Sequence, residues 1–229
     1  MGAKNTSENS SEYYKLKEDK RDNSATKGQF VFFKQQKTAE GWVDGPEYNA
    51  MSGFVNGITI KEYEWQGKKK EAMNILMSDD EPGKPDFVIT LGFDSLTAKN
   101  IVNTLAGEAL LGVIQFTAGK PSEYNGKTYP TLWINNGGQK TNWKYSKNNG
   151  NIDLVPKVST FTDDDGNVLK KGVKQANEFW KKEIELLNER LGNKAKKQEV
   201  PVQPMVEQKQ TPPTFTPSSL DDDDSGLPF

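Results

Sequence analysis

The sequence predicts a mainly β fold: a small closed barrel of five strands with one inserted helix, an additional C-terminal amphipathic helix, and disordered ends. Three observations predict it. Between Gly28 and Gly150 aromatic residues are dense, and short β-type runs alternate with turn signals at regular spacing. One longer run, Met51 to Trp65, carries Gly57 where a strand of a small barrel has to bend. Hydrophobic residues make up only 33% of the 229, against roughly 45–50% in ordinary globular domains, so part of the chain lacks the apolar surface to fold.

Residues 1–27 are rich in Ser, Asn, Lys, Glu and Asp and read as a disordered polar arm, although Tyr13, Tyr14 and Leu16 could dock. Phe30 to Phe33 is a first β run. Met51 to Trp65 ends at the turn Gln66-Gly67, Glu71 to Ser78 follows, and Asp79 to Pro85 is a loop before a strand from Asp86 to Phe93. Asp94 or Ser95 suits a helix N-cap, and Leu96, Ile101, Leu105 and Ala109 recur at helical spacing, which predicts a helix over 96–110 stopped by Gly112. Val113 to Thr117 and Tyr129 to Asn135 are two more strands, separated by a loop from Ala118 to Thr128. Counted from Met51 the order is strand, strand, strand, helix, strand, strand, which is that of an OB-fold barrel. Another small mixed α/β sheet is the alternative. The domain is drawn over 28–171.

Within it, Val155 to Thr162 and Val168 suit a hairpin around Asp165-Gly166-Asn167. Asp163 to Asp165 lack the alternating ligands and distal Glu of a calcium loop and read as a turn, so no metal site is expected. Residues 172–193 form an amphipathic helix: Val173, Ala176, Phe179 or Trp180, Ile184, Leu187 and Leu191 make the stripe, and Gly192 ends it. The stripe packs on the barrel or on a second copy. Residues 194–229 are a disordered Pro-rich linker and acidic tip, broken by Pro201, Pro204, Pro212, Pro213 and Pro217.

Composition removes much chemistry. There is no Cys and no His, so disulfides, Cys/His zinc sites, thiol nucleophiles and Ser-His-Asp triads are excluded. The acidic clusters Asp79-Asp80-Glu81, Asp163–Asp165 and Asp221–Asp224 sit in expected loops or tail, a poor basis for a carboxylate nuclease. The expectation is a non-enzyme with no catalytic residue and no cofactor. No apolar run reaches the ~18 residues of a membrane span, and the N-terminus has no apolar signal core, which predicts a soluble, cytoplasmic protein.

The last ten residues carry the most information. Asp221, Asp222, Asp223 and Asp224 lead to Leu227-Pro228-Phe229. A terminal aromatic that cannot join a core gains nothing for folding, but it can anchor in a partner's pocket while the carboxylates meet Lys or Arg at the rim. This ending resembles the C-terminal tip of bacterial and phage single-stranded-DNA-binding proteins, in which a flexible linker joins an OB-fold core to an acidic tip ending in Phe. The late start of the core and the extra helix make the resemblance closest to a phage-type member. It implies binding of single-stranded DNA in replication, recombination and repair, recruitment of proteins of those processes through the tip, and location in the host cytoplasm if the chain is phage-encoded. The stripe of the 172–193 helix leaves a homo-oligomer open, but the departures from the family pattern do not carry its tetrameric assembly over.

The core is then a strand-binding groove, which needs aromatic faces for bases and cations for phosphates. The turn Trp65-Gln66-Gly67-Lys68-Lys69-Lys70 and the loop holding Lys120, Tyr124 and Lys127 flank the binding face of an OB-fold. Strand alternation puts Phe54, Ile58 and Ile60 in the core and Lys61, Tyr63 and Trp65 on the opposite face. It likewise turns Leu132 and Ile134 inward and Tyr129, Thr131 and Trp133 outward, while Phe87, Ile89, Leu91 and Phe93 are core. Lys140, Trp143, Lys144 and Tyr145 form a further basic-aromatic cluster. Outside the acidic tail the chain is close to neutral, near +1, so affinity has to come from local lysines and stacking. An RNA-binding OB module, a strand-annealing recombination protein and an inert structural protein with a solubilising tail remain alternatives.

Overall fold

A computed structural model describes residues 11–79, 85–107, 112–124, 127–163 and 168–192. Its first strand, β1 (Glu12–Glu18), lies inside the expected disordered arm and corrects that reading for residues 12–18. Alternation is the reason: Tyr14 and Leu16 point to the core while Lys15 and Lys17 point away. Tyr14 is buried edge-on against Tyr48 and Phe87. Residues 1–10 lie outside the described residues.

The remaining elements are β2 (Phe30–Thr38), β3 (Gly41–Tyr48), β4 (Ala50–Trp65), β5 (Lys68–Ser78), β6 (Phe87–Gly92), α1 (Leu96–Gly107), β7 (Ile114–Ala118), β8 (Ser122–Tyr124), β9 (Lys127–Tyr129), β10 (Leu132–Asn136), β11 (Gln139–Lys140), β12 (Ser159–Thr162), β13 (Val168–Lys171) and α2 (Val173–Arg190). The fold is mainly β. Ser95 caps α1, its Oγ accepting the Ala98 N–H at 3.2 Å. The expected helix residues 108–110 and the hairpin turn 165–167 lie outside the described residues. The hairpin itself forms as β12–β13, but Val155 is not part of it and is buried next to a short 3-10 turn. The loop from Ala118 to Thr128 contains the small β8–β9 hairpin, which also takes Tyr129.

Nine strands join in the order β11-β10-β7-β4-β5-β6-β1-β2-β3. The sheet is open. In a closed barrel of β4, β5, β6, β7 and β10 the two end strands, β6 and β10, would have to pair. Instead β6 pairs in parallel with β1, with Tyr14 opposite Ile89 and Lys15 opposite Thr90. The expected closed barrel is corrected here, because the N-terminal strand occupies the edge that closure requires.

The long strand β4 serves two neighbours. Ala50–Gly53 pair with β7, and Phe54–Trp65 pair with β5. Between Val55 and Gly57 the register slips and leaves Asn56 as the extra residue of a bulge. The bulge also reverses alternation. Before it the buried positions are Met51 and Val55; after it they are Ile58 and, partly, Ile60. Simple alternation predicts Phe54 inward with Ile58; the structure corrects this, with Val55 in the inward position and Phe54 half-buried. Phe87, Ile89, Leu91 and Phe93 are all buried, as expected.

Helix α2 packs on its own chain. Trp180, Ile184 and Leu187 enter the core with Ala98, Ile101, Val102 and Leu105 of α1. Its polar contacts are equally specific. Asn188 bonds the main chain of Ile58, Arg190 reaches the Leu105 carbonyl at 3.2 Å, and Lys181 pairs with Glu71. Both helices pack at the inner side of the sheet, and among the described residues no helix covers the opposite face of β4–β5. No described helix is long and apolar enough to cross a membrane.

Candidate nucleic-acid interface

The β4–β5 hairpin turns through Gln66 (φ 51) and Gly67 (φ 73), both left-handed, the conformation that a two-residue hairpin turn requires. Its register sets Trp65 opposite Lys68, Tyr63 opposite Lys70 and Lys61 opposite Ala72. The adjacent rows are Glu64 opposite Lys69 and Glu62 opposite Glu71. Side chains in opposed pairs share a face and adjacent pairs alternate. One face of the hairpin therefore carries Lys61, Tyr63, Trp65, Lys68 and Lys70 with no carboxylate, and the other carries Glu62, Glu64 and Glu71. Lys69, expected among the cations of the site, lies on the acidic face.

The same outer face continues across β7 and β10. Before the bulge it holds the even positions of β4, and Ala50 stands beside Thr117, which stands beside Trp133. The neighbouring row runs from Ser52 through Gln115 and Asn135 to Lys140. Trp65 is 45% and Trp133 is 51% exposed, so neither ring serves the core. Lys140 Nζ lies 5.8 Å from the centroid of Trp133. Gly119 lets that ring lie close to the main chain, because a Cβ there would be 2.5 Å from Trp133 Nε1. Tyr63 and Lys61 are half-buried. In the middle of the sheet the face is mixed: Thr90 Oγ1 donates to Asn74 Oδ1 at 2.9 Å, and the next row sets Leu76 beside the buried Val88.

Other expected site residues lie apart. Lys120 is exposed just before β8, and the register sets Tyr124 opposite Lys127 and Ser122 opposite Tyr129 across the β8–β9 hairpin. Trp143 is exposed, and its carbonyl accepts from Asn149 Nδ2 at 2.8 Å. Lys144 is tied into the helix seam. Its ammonium and the Tyr145 hydroxyl both donate to the buried carboxylate of Glu183 in α2, each at 2.7 Å. Burial is the largest single influence and works against the Lys144 charge, but the hydrogen bonds and charges of Glu183 and Tyr145 together outweigh it and raise its pKa. Burial, then Glu183, raises the Tyr145 hydroxyl. Asn103 of α1 fixes the Tyr145 main chain at 3.0 and 2.8 Å. Lys144 and Tyr145 join α1 to α2, and Lys144 is removed from the set of available cations. Asp221, Asp222, Asp223, Asp224, Leu227, Pro228 and Phe229 lie outside the described residues.

Sequence reasoning missed the outer face of β1–β3. The register puts Tyr13 beside Val88 and Gln35, Lys15 beside Thr90 and Phe33, and Lys37 beside Trp42. The alternation of Tyr13, Lys15 and Lys17 against Tyr14 and Leu16 was the available signal, masked by the charged composition around it. Among the described residues no group of three or more acidic side chains is placed to hold a metal ion.

No protein-family model, curated protein or solved structure matches the chain.

Proposed function

We propose that this chain binds single-stranded DNA without sequence readout, coats and protects it in phage DNA replication, recombination and repair, and recruits partner proteins through its acidic C-terminal tip. The observation that carries the reading is the outer face itself. Two exposed indoles, Trp65 and Trp133, stand on one carboxylate-poor face of the sheet with Lys61, Lys68, Lys70 and Lys140. Stacking surfaces beside cations are what unpaired bases and their phosphates require, and a base stacked on an aromatic ring contributes about 1–3 kcal/mol.

The strand order of β4, β5, β6, α1, β7 and β10, with β4 paired to both β5 and β7, supports an OB-type core that β1 holds open. The chemistry is binding, with no catalytic step. With four lysines on the face, the salt dependence is shallow, with a log–log slope of roughly -3. The tip, read from Asp221–Asp224 and Leu227-Pro228-Phe229, is a tethered polyanion that competes for the lysines until DNA displaces it and frees Phe229 for partners.

The test is fluorescence anisotropy of a labelled oligo-dT strand, with unlabelled duplex and oligo-U as competitors. Saturable binding that neither competitor displaces efficiently supports the proposal. Equal displacement by duplex overturns it, and equal displacement by oligo-U replaces it with an RNA module.

A further inference from the structure

We infer that the track for an unpaired strand does not stop at β6 but crosses onto β1–β3, where Tyr13, Lys15, Lys37 and Trp42 form a second contact region. This rests on the single-strand reading above and extends it. The first support is continuity. Because β1 pairs with β6, the outer row Thr59, Asn74, Thr90 continues without a break to Lys15. Five strand spacings of about 4.8 Å carry the face from β4 to β3, roughly 24 Å, enough for several nucleotides.

The second support is chemistry. Trp42 is 41% exposed on the outermost strand and meets Tyr13 edge to face, with centroids 6.1 Å apart. Lys37 stands directly opposite Trp42 and forms no ion pair among the described residues. Aromatic rings interleaved with lysines repeat the pattern at Trp65 and Trp133. Of the acidic groups nearby, Asp44 pairs with Lys17 and Glu47 pairs with Arg21 at 3.0 Å, while Glu40 stands exposed in the β2–β3 turn.

Strand addition by a second copy is the competing use of an edge strand. Here the edge is blunted. Pro46 lacks an N–H, and the register shifts opposite Phe33–Gln35, both of which discourage pairing with another strand.

The experiment measures affinity of the full chain for oligo-dT of about 6 and about 20 nucleotides. Variants are Trp42→Ala, Trp42→Phe and Lys37→Glu, with sedimentation to follow the oligomeric state. Trp42→Ala is expected to weaken the long strand roughly 5- to 100-fold and leave the short one unchanged. Lys37→Glu weakens the long strand as well, and Trp42→Phe stays near wild type. Unchanged affinity for the long strand overturns the inference, as does equal weakening at both lengths. A shift in oligomeric state with unchanged affinity assigns Trp42 to a contact between copies and also overturns it. If the wild-type chain binds neither strand, the function proposed above fails first.

Discussion

The side chain of Asn188 satisfies both main-chain groups of Ile58: its Oδ1 accepts the Ile58 N–H and its Nδ2 donates to the Ile58 carbonyl, each at 2.8 Å. Pairing of β4 with β7 ends at Gly53, so beyond the bulge this edge of β4 has lost its neighbouring strand. Asn188, in the last turns of α2, substitutes for that strand. Asn188→Ala leaves two buried main-chain groups without partners and should cost about 1–3 kcal/mol. Urea denaturation measures it, and single-strand affinity should not change. A neutral effect on stability would show that water replaces the side chain without loss.

Trp65→Ala and Trp133→Ala should each weaken binding of a short single strand by about 1–3 kcal/mol and leave the thermal midpoint in place, since neither ring is in the core. Unchanged affinity in both variants would show that bases do not stack there.

Gly119→Val should act through Trp133. A Cβ at position 119 would stand 2.5 Å from the indole Nε1 and 3.2 Å from Thr131 Cγ2, so the ring must move off its present seat. Single-strand binding should fall about as far as in Trp133→Ala, with a smaller effect on stability. Retained full affinity would mean that the seat of the ring is unimportant.

Much of this was legible in the sequence. The hairpin at Gln66-Gly67, the helix capped by Ser95 and the outward Trp65 and Trp133 all follow from local turn chemistry and period-two alternation. What stayed hidden depends on distant partners. The strand β1 has only Tyr14 and Leu16 as its inward stripe, and one of its two neighbours, β6, lies far along the chain. The inward place of Val55 follows from a one-residue bulge that no local pattern announces. Lys144 looks like an ordinary exposed cation until α2 brings Glu183 to it.

Asp19 predicts how stability responds to acid. Its buried carboxylate accepts from Arg21 Nε and Nη2 at 2.9 Å each and from Thr26 Oγ1 at 2.6 Å. The Arg21 guanidinium, above all, holds its pKa well below the usual carboxylate range. A depressed folded-state pKa contributes stability that is complete above the unfolded value, about 3.9, and is lost as pH falls from there toward the folded value. Asp19→Asn should therefore be less stable than wild type at neutral pH, with the gap narrowing below about pH 4. Denaturation across a pH series measures it, and a gap that stays constant would contradict the linkage.

Removal of residues 220–229 should leave single-strand binding unchanged or tighter and abolish binding of replication or repair proteins in a pull-down. Weaker DNA binding after truncation would contradict a competing tail.

The most direct measurement is tryptophan fluorescence during titration with oligo-dT of about 6 nucleotides, for wild type and for the double variant Trp65→Phe with Trp133→Phe. Phenylalanine keeps a ring for stacking but removes the indole that reports it. The account predicts saturable quenching in wild type, and in the variant retained binding by anisotropy with most of the quenching gone. Quenching that survives in full would place the bases against other indoles and contradict the account.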